Sequence, residues 1–182
     1  MTTFLGIQLA FDLPADHRLR RGLGEAVRRQ RAAEGMTAQR VAWTNAAGLL
    51  RQAVPHAVLG TWDLITPNGE AEYEDWASGL EAMAHWPQED FGADGRYLLA
   101  SVIVVVRKGS NADTTLGDLC DLPEPDWHRR ATYIRLVEAM PQLNLTNVLG
   151  SGFYLAPHPD RPGFAIEVLQ GEGFDYLAAV EG

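Results

Sequence analysis

Hydrophobic and polar positions alternate along this chain between a two-residue and a helical period. Thr3 to Leu13 is β-rich and loosely alternating, which predicts a first strand. Pro14 and Asp16 then open a helix running to about Glu34. On its wheel Leu19, Leu23, Ala26, Val27 and Ala33 share one arc, and Arg18, Arg21, Arg28 and Arg29 fall opposite. Gly35 ends that helix. Thr37 can cap a second helix over 38–54, with Ala42, Ala46, Leu49, Leu50 and Ala53 as its buried arc, and Pro55 closes it.

His56 to Thr66 predicts a second strand, and Pro67-Asn68-Gly69 a turn. Residues 70–86 carry the clearest helical pattern. Tyr73, Trp76, Ala77, Leu80, Met83 and Ala84 form the inner arc, with Glu70, Glu74, Asp75 and Glu81 outside. Gly92 to Gly95 reads as a turn into the most apolar strand, Arg96 to Arg107. Its near-continuous Val, Ile and Leu content suits a strand covered on both faces.

Lys108 to Thr115 reads as a polar loop, and Leu116 to Leu122 as a short ambiguous segment. Pro125 suits the first turn of a helix reaching about Met140, with Trp127, Ala131, Ile134 and Val137 facing inward. Val148 to Ala156 is a fourth strand, Pro157 to Gly163 a proline-rich loop, and Phe164 to Gln170 a short helix or strand. The tail GFDYLAAVEG ends in apolar anchors that dock. No repeat, low-complexity tract or linker interrupts the pattern. The expectation is a single globular α+β domain over 1–182, a mixed four-stranded sheet packed with four to five helices, its strand order left open.

Composition narrows the function classes. The 182 residues carry 46% hydrophobic and 21% charged positions, a globular balance rather than a disordered one. One cysteine excludes an intramolecular disulfide framework and a multi-cysteine zinc site. The start has an apolar run with no basic residue ahead of it and no small-residue cleavage pattern, so it reads as a strand, not a signal peptide. The longest apolar run, Tyr97 to Val106, is too short to cross a bilayer as a helix. The expectation is a soluble, cytoplasmic chain without stable membrane insertion.

Net charge is −9, which opposes nucleic-acid binding by the molecule as a whole. It is unevenly placed. Residues 16–51 hold eight Arg and three acids, +5, leaving −14 elsewhere; residues 52–95 hold nine acids and no Lys or Arg. The first helix is therefore the candidate partner- or anion-binding element, through Arg18, Arg21, Arg28 and Arg29. Pairing of those arginines with the chain's own acids is the competing account.

Catalytic signals are absent by pattern. Cys120 sits between Asp118 and Asp121, which disfavours a thiolate. His17, His56, His85, His128 and His158 include no pair at helical metal-ligand spacing. His85 stands beside Glu81 on an outer helix face, where a surface ion pair is expected. His158-Pro159-Asp160 repeats a tripeptide used by J-domain co-chaperones, but without their basic helix and helical hairpin. The carboxylate pairs Glu72, Glu74 and Asp75, then Glu89 and Asp90, read as solvated faces. Gly150-Ser151-Gly152 lacks the context of a nucleophile elbow or a phosphate loop. The sequence carries no cofactor motif and no metal-ligand set.

The order of features is similar to the domain-of-unknown-function family 1517. FLGIQLAFDLPADHRLRRGLGEAVRRQ and MTAQRVAWTNAAGLLRQAVPHA resemble its opening strand and two helices. GTWDLI with EAEYEDW resembles its aromatic strand and Ala-Glu helix, and RYLLASVIVVVRKG its next apolar strand. GFYLAPHPDRPGFAIEVL and FDYLAAV resemble its last strand, proline loop and tail. Leu155-Ala156-Pro157 stands where that family has a Trp. The resemblance implies an accessory or regulatory role and carries over no catalytic residue.

Together these readings favour a non-catalytic protein-interaction or regulatory module, with a basic first helix on an acidic body and a protein partner or a second copy to meet it. The alternative is a small-molecule-binding protein or enzyme whose cleft has no sequence signature.

Overall fold

In the computed structural model, which describes residues 1–87 and 95–182, the first strand is the axis of the sheet. β1 (Thr2–Asp12) pairs antiparallel with β2 (Ala57–Ile65) on one side and β3 (Tyr97–Arg107) on the other. β4 (Val148–Ala156) adds to β3, and the two-residue β5 (Ala178–Ala179) adds to β2. The order is β4-β3-β1-β2-β5.

The class is α+β, as expected, with the four expected strands in place. A fifth strand comes from the tail, where two alanines carry no strand signal of their own. Every ladder is antiparallel, which corrects the mixed sheet. β2 and β3 do run parallel to each other, but β1 lies between them, so no parallel ladder forms among the described residues.

Six helices are described, one above the expected range: α1 (Arg18–Ala32), α2 (Gly35–Ala53), α3 (Gly69–Ala84), α4 (Asn111–Cys120), α5 (Arg130–Ala139) and the one-turn α6 (Ile166–Leu169). The extra one corrects the polar-loop reading of Lys108 to Thr115. Ser110 Oγ accepts from the Asp113 N–H at 3.3 Å and starts α4. Only Ala112 and Leu116 of α4 are fully buried, so its apolar stripe is too thin to read from the pattern. The other boundary shifts have local causes. His17 Nδ1 accepts from the Leu19 N–H at 3.2 Å and caps α1, three residues past Pro14. Thr37 lies inside α2 and does not cap it. The helix starts two residues earlier, at Gly35, with φ 79°.

α5 begins at Arg130, not Pro125, because Glu124–Asp126 forms a separate 3-10 turn. Trp127 and Ala131 are consequently exposed, and Tyr133 and Leu136 take the inner positions. Trp127 instead donates its Nε1–H to the Leu122 carbonyl and meets Trp62 edge-on, ring centroids 6.0 Å apart. Phe164 bridges to Tyr97, and α6 follows it. The Gly92 turn and the Glu89–Asp90 pair lie outside the described residues.

The strand alternation gives the sheet two unlike faces. Leu5, Ile7, Leu9 and Phe11 of β1, with Val102, Val104, Phe153 and Leu155, pack into the cluster that includes side chains of α1, α2, α4 and α5. Phe4, Gly6, Gln8 and Ala10 point the other way. There the cover comes from α3 and the segment 164–177, and the apolar contacts split into two smaller clusters. Each fully buried Leu, Ile or Phe stabilises by about 1.5–3 kcal/mol relative to exposure. The first face therefore supplies most of the cohesion, and the thinner second face has room for polar groups.

Candidate functional site

The second face has a polar row across its middle. Strand register sets Tyr154 beside Ser101, Ser101 beside Gln8, and Gln8 beside Thr61. Gln8 is 2% exposed. Its amide is held at both ends: Nε2 donates to Ser101 Oγ at 2.9 Å, and Oε1 accepts from the Tyr176 hydroxyl at 2.7 Å. A buried primary amide is costly unless bonded. The two bonds offset that cost and also fix Tyr176 of the tail over the sheet.

Above this row α3 presents Trp76, Gly79, Leu80 and Met83 on one stripe, and Trp86 follows its C-terminus. Together with Gln8, Thr61, Asp63, Gly173 and Tyr176 they line an open cavity of about 470 Å³. Its walls are aromatic. Trp86 lies edge-on to Phe164 and Phe174, centroids 6.4 and 5.9 Å away, and Phe174 continues to Tyr176 at 6.4 Å. Trp76 rests on Phe4 at 5.4 Å, with its Nε1–H donated to Glu72 at 3.0 Å. That placement needs Gly6: a Cβ there would come within 2.9 Å of the Trp76 ring. At Gly79, by contrast, a Cβ would meet no heavy atom within 4 Å.

Asp63 stands opposite Gly6 in the register, exposed at the cavity mouth. Its partial burial raises the carboxyl pKa above its ordinary value. None of the ion pairs formed among the described residues includes it. A largely apolar, concave space with a few converging polar groups is the usual form of a small-molecule site, and about 300–1,000 Å³ is the usual size.

The arginine set from the helical wheel divides between two places. Arg18, Arg21, Arg28 and Arg29 are all exposed, as the wheel expects. Arg18, Arg21 and Arg29 line a broad groove of about 920 Å³ between α1 and α2, and Arg29 pairs with Glu25 at 3.4 Å. Arg28 faces away from them, into a cleft between α1, α3 and the loop 157–163.

Arg20, on neither arc of the wheel, is 0% exposed. Its guanidinium donates to the carbonyls of Leu13 at 3.0 Å, Pro159 at 3.1 Å and Arg161. Burial lowers its pKa, and the Asp160 charge opposes that shift. Arg stays protonated regardless. Gly24, one turn along α1, lets the loop come close, since a Cβ there would sit 2.6 Å from Pro159. His158-Pro159-Asp160 is thus part of a clamped loop: Pro159 is buried, and His158 pairs with Asp160 at 3.4 Å.

The remaining candidates stay apart. Burial pushes the Cys120 thiol up to about 12, only partly opposed by Arg135, so at neutral pH it is a thiol and no nucleophile. The flanking aspartates are not the cause of that shift. His85 is exposed at the C-cap of α3, and no ion pair with Glu81 forms. Among the described residues no three His, Cys, Asp or Glu gather as a metal site, and no helix is long and apolar enough to cross a membrane.

Sequence pattern contained two signals for the site. Gln8 interrupts the otherwise apolar FLGIQLAF, and the α3 stripe carries a glycine between tryptophans. Neither says that a cavity lies between them. Comparison with family models, curated proteins and solved structures found no match.

Proposed function

We propose that this chain is a non-catalytic small-molecule-binding module, and that its ligand is an organic cation with a flat apolar body. The observation carrying this reading is the cavity on the second sheet face, where Trp76, Trp86 and Tyr176 line a space with the Asp63 carboxylate, in no ion pair among the described residues, at its mouth. Aromatic faces attract ammonium groups by about 0.5–2 kcal/mol, more when water is excluded. A cation beside Asp63 would also offset the desolvation that raises its pKa. Gln8 and Thr61 supply neutral hydrogen-bonding groups deeper in.

The test is calorimetric titration with benzyltrimethylammonium, with benzyl alcohol as the neutral aromatic control. The cation is expected to bind saturably and at least about tenfold more tightly than the alcohol. Its affinity should fall as pH drops through the raised Asp63 pKa, because the carboxylate loses its charge there. Asp63→Asn should flatten that profile. Equal affinity for both probes would remove the cation assignment, and no saturable binding of either would remove the site.

A second reading, docking of another copy, is favoured by charge complementarity. Arg18, Arg21 and Arg29 are exposed on α1, residues 34–41 are exposed throughout, and Met36 and Val41 are 59% and 57% exposed. Glu70, Glu74, Asp75 and Glu81 are exposed on α3. Sedimentation should then show self-association that weakens with salt and is lost when the three arginines are changed to Glu. A sedimentation coefficient independent of concentration and salt would exclude it.

A further inference from the structure

The last two turns of α3 separate the aromatic cavity from a second concavity of about 620 Å³, walled by α1, α3 and the loop 157–163. Arg28 and Arg31 enter it from α1 and Arg161 from the loop, joined by His85 and His158. Among the described lining residues, Glu81 is the one carboxylate. We propose that this cleft binds a small molecule carrying a diphosphate group.

Three observations support the assignment. First, the guanidinium groups of Arg28, Arg31 and Arg161 have no ion-pair partner among the described residues. Arg31 lies over the Tyr154 ring, 5.8 Å from its centroid, which aims the group without neutralising it. The dipole of α1 accounts for a cation such as Arg31 in the last turn. It does not account for Arg161, which comes from a loop more than a hundred residues later in the chain.

Second, the cleft is preorganised. The buried Arg20 ties the backbone carbonyls of Pro159 and Arg161 to α1, so the loop carrying His158 and Arg161 is fixed before any ligand arrives. A rigid set of donors loses little freedom on binding.

Third, the chemistry and size match. Guanidinium forks suit phosphoryl oxygens, and three of them balance a charge that one phosphate does not carry. On a chain of net charge −9, a concavity with three arginines is a local field that selects anions. Glu81, one carboxylate against three guanidinium groups among the described lining residues, does not cancel it. That carboxylate lies near the Tyr73 and Tyr154 hydroxyls and acts on both: burial, then Tyr154, then Glu81 push Tyr73 up to about 12. The Asp160 carboxylate lies 3.4 Å from His158 Nδ1 and near Arg20.

The test is calorimetric titration of the full chain with pyrophosphate, adenosine diphosphate and citrate at matched ionic strength. Pyrophosphate is expected to bind saturably, with citrate at least about tenfold weaker because its carboxylates do not fit the same forks. Arg28→Gln with Arg161→Gln should cost about tenfold per guanidinium removed. Both side chains are exposed, so the double variant should fold normally. Arg21→Gln, in the α1–α2 groove, should leave pyrophosphate binding unchanged. Tighter binding of the nucleotide than of pyrophosphate assigns a nucleoside diphosphate, and equal binding assigns free diphosphate. The proposal is overturned if citrate binds equally, if the double variant binds as the parent does, or if pyrophosphate gives no saturable heat. Benzyltrimethylammonium binding is read separately, on the other side of α3, so either site can fail without the other.

Discussion

Replacing Arg20 with alanine is expected to lower the unfolding free energy by about 4 kcal/mol, a large fraction of the roughly 5–15 kcal/mol typical of a domain. The side chain is fully buried, and its partners are the backbone carbonyls of Leu13, Pro159 and Arg161. Alanine leaves those acceptors beside a void, with no donor to replace the guanidinium. The helix-propensity gain from Arg to Ala, a few tenths of a kcal/mol, does not compensate. Lysine should rescue little, because one compact ammonium cannot reach three divergent carbonyls. Arg21→Ala, one residue along and exposed, should stay within about 0.5 kcal/mol of the parent. Urea unfolding of the three variants reads these differences directly. A loss below about 1 kcal/mol for Arg20→Ala would mean that water satisfies the carbonyls and the loop is not held from α1.

Filling the aromatic cavity from α3 should separate binding from stability. Gly79 lines that cavity, and a Cβ at this position meets nothing within 4 Å. Gly79→Leu therefore places a side chain in open space and replaces a helix-interior glycine. The helix should gain about 0.5–1 kcal/mol, raising Tm by a few degrees in a chain of this size. Affinity for benzyltrimethylammonium should at the same time fall by at least about thirtyfold, since the new side chain occupies the ligand's volume. Opposite signs in the two measurements are the mark of a plugged site, because a merely damaged fold would lose both. An unchanged dissociation constant would place the ligand elsewhere.

Several elements follow from pattern because their determinants are local. The strand over Val148 to Ala156 has the expected bounds, and the near-continuous apolar strand now called β3 lies between β4 and β1 and is buried on both faces. The α3 stripe through Trp76, Leu80 and Met83 faces the sheet. Where pattern misleads, tertiary contact outweighs local signal. Trp127 is on the surface although its hydrophobicity argues for the core, because a 3-10 turn ahead of α5 changes the helix phase. α4 forms from a segment of loop-like polarity because its Ser110 cap and the Asp113 carboxylate, which accepts from Thr3 and Gly109, hold its start.

The amino-acid sequence by itself determines the α+β class, the four main strands, the uneven charge and the outward face of α1 with Arg18, Arg21, Arg28 and Arg29. These depend on periodicity and composition within single elements. Only the tertiary structure decides which residues from distant elements meet. Gln8 finds Tyr176 across 168 positions, and Arg20 finds Pro159 across 139. Arg28 joins Arg161 and parts from Arg18, Arg21 and Arg29, because a helix packed on two sides sends neighbouring side chains into different clefts. Both candidate sites arise from such meetings, and a cavity is a property of the space between elements that no single segment encodes.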